Sequence, residues 1–146
     1  MEFLQDSNVS VRSFPGATSE DMLDYCKPLI NKKPDVFILH VGTNDLTKKV
    51  NNTKENIVNI LKIVKEVTLD TEVVLSDICL REDIKDINGK RLNLNKVLRN
   101  ICKENGLRII DNSNIDSSCL ARKKLHLNMR TGISRLAKNF KNFLQH

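Results

Sequence analysis

Two hydrophobic periods alternate along the chain. Residues 8–14, NVSVRSF, change character at nearly every step, as a strand half-buried in a sheet does. The next segment, GATSEDMLDYCKPLINKKP, switches to helical spacing: Thr18 with Asp21 fits a capping box, and Met22, Cys26 and Leu29 fall on one face. Pro34 lies beyond this helix and leads into DVFILHVG (35–42), a continuous apolar run of the kind found in strands covered on both faces. A second helix is predicted from about Asn52, with Glu55 three residues on and an apolar stripe of Ile57, Ile60, Leu61 and Val64. EVVLSDI (72–78) predicts the next strand, followed by a polar loop through DINGK. A third helix carries Leu94, Val97, Leu98 and Ile101 and stops at the C-cap pair Asn105-Gly106. LRIID (107–111) makes a last short strand, and Ile133, Leu136, Ala137, Phe140 and Leu144 a terminal amphipathic helix.

Four strands alternating with four helices, with no repeat and no linker, predict βαβ units. The fold class expected is α/β, a parallel sheet with helices on both faces, in a single domain over residues 1–146. In such sheets ligands bind beyond the carboxyl ends of the strands. Three polar clusters fall there: PGATS after the first strand, GTND after the second, and the long loop after the last strand that leads to LHLN.

Composition narrows the function classes. Hydrophobic content of 40% and charged content of 29% are globular values. No apolar run is long enough to span a membrane, and MEFLQDSN is no signal peptide, so a cytoplasmic setting is expected. Cys26, Cys79, Cys102 and Cys119 form no CxxC pair and have no close His partner, which argues against a zinc site and favours buried free thiols. The net charge of +6 is unevenly placed: Arg122, Lys123, Lys124, Arg130, Arg135, Lys138 and Lys141 follow the last acid of the chain. That segment suits either a solvated helix face or a surface for nucleic acid or another polyanion, and aromatic residues that could stack bases are scarce.

Each polar cluster has a bland reading. Gly16 after Phe14-Pro15 suits a turn, Gly42-Thr43-Asn44-Asp45 an Asx-type cap, His126 a packed or surface position, and His40 a hydrogen-bonded core position. Together they have a chemical logic. Acyl transfer needs donors aimed at a developing oxyanion, which a backbone N–H of a Gly loop and an Asn amide supply, and a general base, which neutral His supplies near pH 7.

Gly16 in SFPGAT, Gly42 and Asn44 in VGTND, and His126 in LHLN resemble blocks II, III and V of the SGNH (GDSL-type) hydrolases, a family of serine esterases and lipases. The chain is most similar to the esterase-type domains of invertebrate genomes and of non-LTR retrotransposon polyproteins. The resemblance covers about residues 9 to 144 and is most specific at KPDVFILHVGTNDL. It implies a flavodoxin-like three-layer fold and hydrolysis of a small acyl ester with no metal or cofactor. It also implies that Gly16 (backbone N–H) and Asn44 (side-chain amide) serve the oxyanion, that His126 is the base, and that Gly42, Thr43 and Asp45 form the supporting loop.

Two departures qualify what the resemblance implies. The family's block I, Gly-Asp-Ser, is followed by a helix before the strand leading to the block II Gly. Here Asp6-Ser7 lies only eight residues before Gly16, so no helix fits and no nucleophile is identified. The expectation is a domain incomplete at its N-terminal side, lacking the family's first, central strand. The strands ending at Gly16 and Gly42 would then pair directly, leave a gap, or take a second chain between them. In block V, Lys123 stands where the family places Asp, three residues before His. A cation disfavours the imidazolium that must form, and in serine proteases loss of the orienting acid costs on the order of 10⁴ in rate. Asp111 and Asp116 are the substitutes the sequence offers. An esterase-type domain that is inactive as written is therefore the leading expectation, and a non-catalytic polyanion-binding module the rival.

Overall fold

The computed structural model describes residues 8–145, so Asp6 and Ser7 lie outside the described residues. Three strands, β1 (Val36–Leu39), β2 (Glu72–Ser76) and β3 (Arg108–Ile110), form a sheet in the order β1-β2-β3, parallel at both pairings. Val36 lies opposite Glu72, and Val74 opposite Arg108. Helices α1 (Ser19–Tyr25) and α2 (Lys27–Ile30) precede β1, α3 (Val50–Val67) joins β1 to β2, α4 (Ile87–Asn105) joins β2 to β3, and α5 (Gly132–Leu144) closes the chain.

The pleat sorts side chains between two layers. Phe37, Leu39, Val73 and Leu75 enter one hydrophobic cluster with Cys26 and Ile30 of the α1–α2 segment, Ile57, Ile60, Leu61 and Val64 of α3, and Leu94, Leu98 and Ile101 of α4. Burying each such side chain stabilises the fold by about 1.5–3 kcal/mol relative to leaving it exposed. The opposite face meets α5, where the His40 and Phe140 rings lie edge to face at 5.9 Å. There Val36 and Ile38 are only half-buried.

Local chemistry explains the helix ends. Thr18 and Asp21 form the capping box: the Asp21 N–H donates to Thr18 Oγ1 at 3.4 Å and the Thr18 N–H to Asp21 Oδ2 at 3.0 Å. Pro28 in the first turn of α2 lacks the N–H that would continue α1. Gly106 ends α4 in the left-handed conformation, φ 66°, with its N–H on Cys102 O. Two starts differ from expectation. The α3 helix begins at Val50 rather than near Asn52, with Lys49 at the N-cap and no side-chain cap. The α4 helix begins inside DINGK, after Asp86 at φ 63°.

The larger correction is at the N-terminal side. Residues 8–14 alternate in sequence but form no strand, leaving three strands rather than four. Alternation specifies which face a side chain takes, but a strand also needs a neighbour's ladder to satisfy its backbone. Among the described residues β1 pairs only with β2, so its other edge is unpaired and the direct pairing considered above does not form. Phe14 instead stacks on Tyr25 of α1, with ring centroids 4.9 Å apart and planes 23° from parallel.

All four cysteines are buried free thiols. Burial pushes the Cys26 thiol up to about 11 and the Cys79 thiol up to about 12, so neither is a ready nucleophile at neutral pH. No helix of the described residues is long and apolar enough to cross a membrane.

Candidate active site

The loop that leaves β1 turns at Gly42, φ 132°, where a Cβ would come 2.6 Å from Ile78 Cδ1, so only glycine fits. The turn tightens into a short 3₁₀ segment, Thr43–Asp45, closed by the Asp45 N–H on Gly42 O at 3.0 Å. Asp45 is buried, and its carboxylate accepts from the Ser19 N–H at 3.0 and 3.2 Å, Ser19 Oγ at 2.7 Å and Thr53 Oγ1 at 3.3 Å. One buried acid thereby pins the loop to the first turn of α1 and to α3. Charge-assisted bonds of this kind are the strong ones.

With the loop fixed, Asn44 Nδ2 donates to Ala17 O at 3.0 Å. This bond brings Asn44 beside Gly16, which lies in a turn at φ 78° and whose own N–H meets no acceptor among the described residues. An amide has two N–H donors; one is used on Ala17 and the second remains. Asn44 is thus tied to the turn that holds Gly16, and Thr43 and Asp45 belong to the same short segment after Gly42.

His126 is different. It is exposed, on the loop between β3 and α5, which is held mainly by main-chain bonds: the Ala121 N–H donates to His126 O at 2.8 Å, and Leu120 and Leu127 form an isolated antiparallel bridge. Asn128 of LHLN clamps the loop to α5. Its Oδ1 accepts from the Thr131 N–H at 2.8 Å and the Gly132 N–H at 3.0 Å, while its Nδ2 donates to Ser118 O at 2.8 Å and Leu120 O at 3.1 Å.

Sequence reading missed the segment between these two parts, Arg81-Glu82-Asp83. Arg81 is 5% exposed; its Nη1 donates to Thr43 O at 2.7 Å, and its Nε and Nη2 grip Asp83 at 2.9 and 2.7 Å. The Glu82 N–H donates to Lys124 O at 2.9 Å. The Arg81 hydrogen bonds, reinforced by its charge and by His126, hold the Asp83 carboxyl below the usual carboxylate range. The available signal was position: three charged residues in a row just beyond the carboxyl end of a predicted strand, where such folds place ligands.

The substitutes suggested for the missing acid are engaged elsewhere. Asp111 accepts from the Ser113 N–H at 2.7 Å, and Asp116 caps the Ser117–Cys119 turn through the Ser118 N–H at 3.0 Å, with Arg135 at 3.6 Å. His40 is hydrogen-bonded as expected, Nδ1 to Ser76 Oγ at 2.8 Å, but it lies just past β1 and keeps an exposed portion. Burial of its ring against neighbouring side chains lowers its pKa below the ordinary range. Ser76 also accepts from Asn112 Nδ2 at 2.8 Å and is 1% exposed, so this Ser–His contact is a sealed structural bond rather than a nucleophile and its base. Among the described residues no serine hydroxyl bonds the His126 ring, and no cluster of His, Cys, Asp and Glu could hold a metal ion.

The family model described as GDSL-like lipase/acylhydrolase matches residues 2–131, most of the chain. The chain belongs to that family. Solved structures agree on the fold. A GDSL-like lipase from Bacteroides thetaiotaomicron is 19% identical with a TM-score of 0.76, the match covering 92% of this chain and 74% of that one. The lipase/acylhydrolase from Enterococcus faecalis is 21% identical (TM-score 0.73; 89% and 71% covered), and an acetylxylan esterase from Geobacillus stearothermophilus is 15% identical (TM-score 0.73; 90% and 69% covered). No curated protein matches the chain. At these identities the solved structures speak to the fold alone.

Proposed function

We propose that this GDSL-like domain is built to hydrolyse carboxylic esters, with Gly16 and Asn44 as oxyanion donors and His126 as general base, and that it is inactive as written for want of a nucleophile. The observation that supports the reading is the Asn44–Ala17 bond, which ties the Asn amide to the residue after Gly16, whose own N–H has no acceptor among the described residues. Two such donors are worth several kcal/mol of transition-state stabilisation once a substrate carbonyl lies between them. The nucleophile would come from a Gly-Asp-Ser block on a strand along the free edge of β1. That edge is unpaired among the described residues, and the sheet face served by α5 leaves Val36 and Ile38 half-buried, which supports a single domain incomplete at its N-terminal side. Buried free thiols suit a reducing, cytoplasmic setting.

Labelling by a fluorophosphonate probe, with the adduct located by mass spectrometry, tests the reading. The chain as given is expected to take no label, and a chain extended upstream with a Gly-Asp-Ser strand is expected to take one label on that Ser, lost in His126→Ala. A His126-dependent adduct on the chain as given would overturn the inactive reading, and an unlabelled extended chain that folds would overturn the esterase reading.

A second reading, a polyanion surface, rests on the exposure of Arg122, Lys123, Arg130, Lys138 and Lys141, which form no ion pair among the described residues, while Lys124 pairs with Glu82 at 3.9 Å and Arg135 with Asp116. Binding through these cations should weaken steeply as salt rises. No affinity for a DNA or RNA oligomer at low salt would exclude it.

A further inference from the structure

We propose that Arg81 is a positioning residue of the oxyanion loop: its guanidinium, clamped on Asp83, fixes the peptide between Thr43 and Asn44 and so the direction in which the Asn44 amide is offered. Arg81 Nη1 donates to Thr43 O at 2.7 Å, and that carbonyl belongs to the peptide joining Thr43 to Asn44. On the other side of Asn44, the Asp45 carboxylate accepts from Ser19 Oγ at 2.7 Å and Thr53 Oγ1 at 3.3 Å. The residue that carries the amide is therefore bracketed, by α1 and α3 on one side and by the segment between β2 and α4 on the other. Asn44 Nδ2 then donates to Ala17 O at 3.0 Å. The role of the amide rests on the ester-hydrolase reading, but the contacts that hold it do not.

The choice of arginine follows from its shape. The Arg81 side chain is 6% exposed, and a cation at that depth is costly unless it is paired. Asp83 supplies the pairing: Nε donates to Oδ1 at 2.9 Å and Nη2 to Oδ2 at 2.7 Å. Two parallel bonds fix the guanidinium plane, and Nη1 reaches Thr43 O from the other edge of that plane. A lysine ammonium is a point charge and cannot serve both partners in this geometry. The backbone of the clamp is held in turn by α4. The Arg81 N–H donates to Asn88 Oδ1 at 3.3 Å, Asn88 Nδ2 donates to Arg81 O, and Arg91 Nε steadies Asn88 Oδ1 at 2.9 Å. An ion pair kept for stability alone has no need of a third bond to a loop 38 positions away, and apolar packing would serve stability as well.

Side-chain ¹H–¹⁵N spectra of the whole chain test this, with Asn44 assigned by the amide pair lost in Asn44→Asp. In the wild type one Asn44 amide proton is expected downfield of the free-amide position, and the Arg81 Nη protons as separate resonances, as in a guanidinium that cannot rotate. Arg81→Met is expected to return the Asn44 pair to the free-amide position, in chains whose β2 and β3 amides stay protected. Backbone amides 43–46 should then exchange about tenfold faster, the loss expected for one charge-assisted bond. Arg81→Lys, which keeps the charge beside Asp83, is expected to do the same, whereas lysine would rescue a cation needed only for stability. An unchanged Asn44 pair in folded Arg81→Met or Arg81→Lys overturns the proposal, and averaged Arg81 Nη signals in the wild type overturn it without any variant. A wild-type Asn44 pair already at the free-amide position overturns it differently, by removing the Asn44–Ala17 bond on which the ester-hydrolase reading rests, so the two failures are distinguishable.

Discussion

The two banks of the site are built differently. On the proposed oxyanion bank, a buried carboxylate ties the loop to two helices: Asp45 is 3% exposed and accepts from Ser19 and Thr53. On the imidazole bank, His126 rides an exposed loop whose order comes from main-chain bonds and from the Asn128 clamp on α5. The contrast suits the proposed chemistry. Donors for an oxyanion act by being fixed before charge develops, whereas a base must change protonation and tolerate water. It also shows where each bank is vulnerable, the first through its core and the second through its tether.

Glycine substitutions should hit hardest and should test whether both banks are equally constrained. Gly132→Ala places a Cβ 2.1 Å from Cys119 O, a backbone atom, and is expected to cost about 3 kcal/mol or more in denaturant unfolding. Gly42→Ala meets the Ile78 side chain at 2.6 Å and holds a strained φ, for about 2–3 kcal/mol. Asp45→Ala comes next: it strands the buried Ser19 N–H and hydroxyl, and about 2–3 kcal/mol is expected, with faster amide exchange across residues 42–46. If Asp45→Ala loosened the His126 loop as much as its own, the two banks would be one unit and the contrast would fail.

Smaller effects separate tether from chemistry. Asn128→Ala removes the clamp at the start of α5 and should cost about 1–2 kcal/mol, measurable as a lower unfolding midpoint. His126→Ala should change stability by no more than about 0.5 kcal/mol, as expected of an exposed position, while abolishing any probe labelling of the extended chain.

Acid titration sharpens the comparison further, with opposite signs at two acids. The folded-state pKa of Asp83 is depressed by the Arg81 hydrogen bond, so its stabilisation is present above the ordinary carboxylate value and lost as pH falls through the depressed one; Asp83→Asn should flatten that acid limb. Burial raises Asp77, against the pull of Arg99 and with Oδ1 lacking a partner, so its contribution is present below the ordinary value and lost as pH rises through the raised one. Asp77→Asn should therefore gain stability at neutral pH relative to the wild type and lose that gain in acid. Unfolding curves of both variants from neutral pH downward check the two signs.

Much of the oxyanion bank was legible because its determinants are local. A capping box at Thr18–Asp21 and a Gly that must turn after an apolar run leave marks within a few residues. The imidazole bank was legible only as a motif. Its supports, the Glu82 N–H on Lys124 O and the Asn128 clamp, act across contacts that no periodicity encodes, as does Arg81, which reaches Thr43 across 38 positions.

The sequence by itself determined the helix faces, the three apolar runs that pair as strands, and the glycine turns, because side-chain spacing and backbone sterics are properties of short segments. Only the tertiary structure decided that residues 8–14 stay unpaired, that Asp45 rather than a local cap fixes the GTND loop, and that Arg81 links that loop to the segment leading to His126. A strand exists only with a neighbour to bond, and a buried charge is tolerable only where distant donors converge on it.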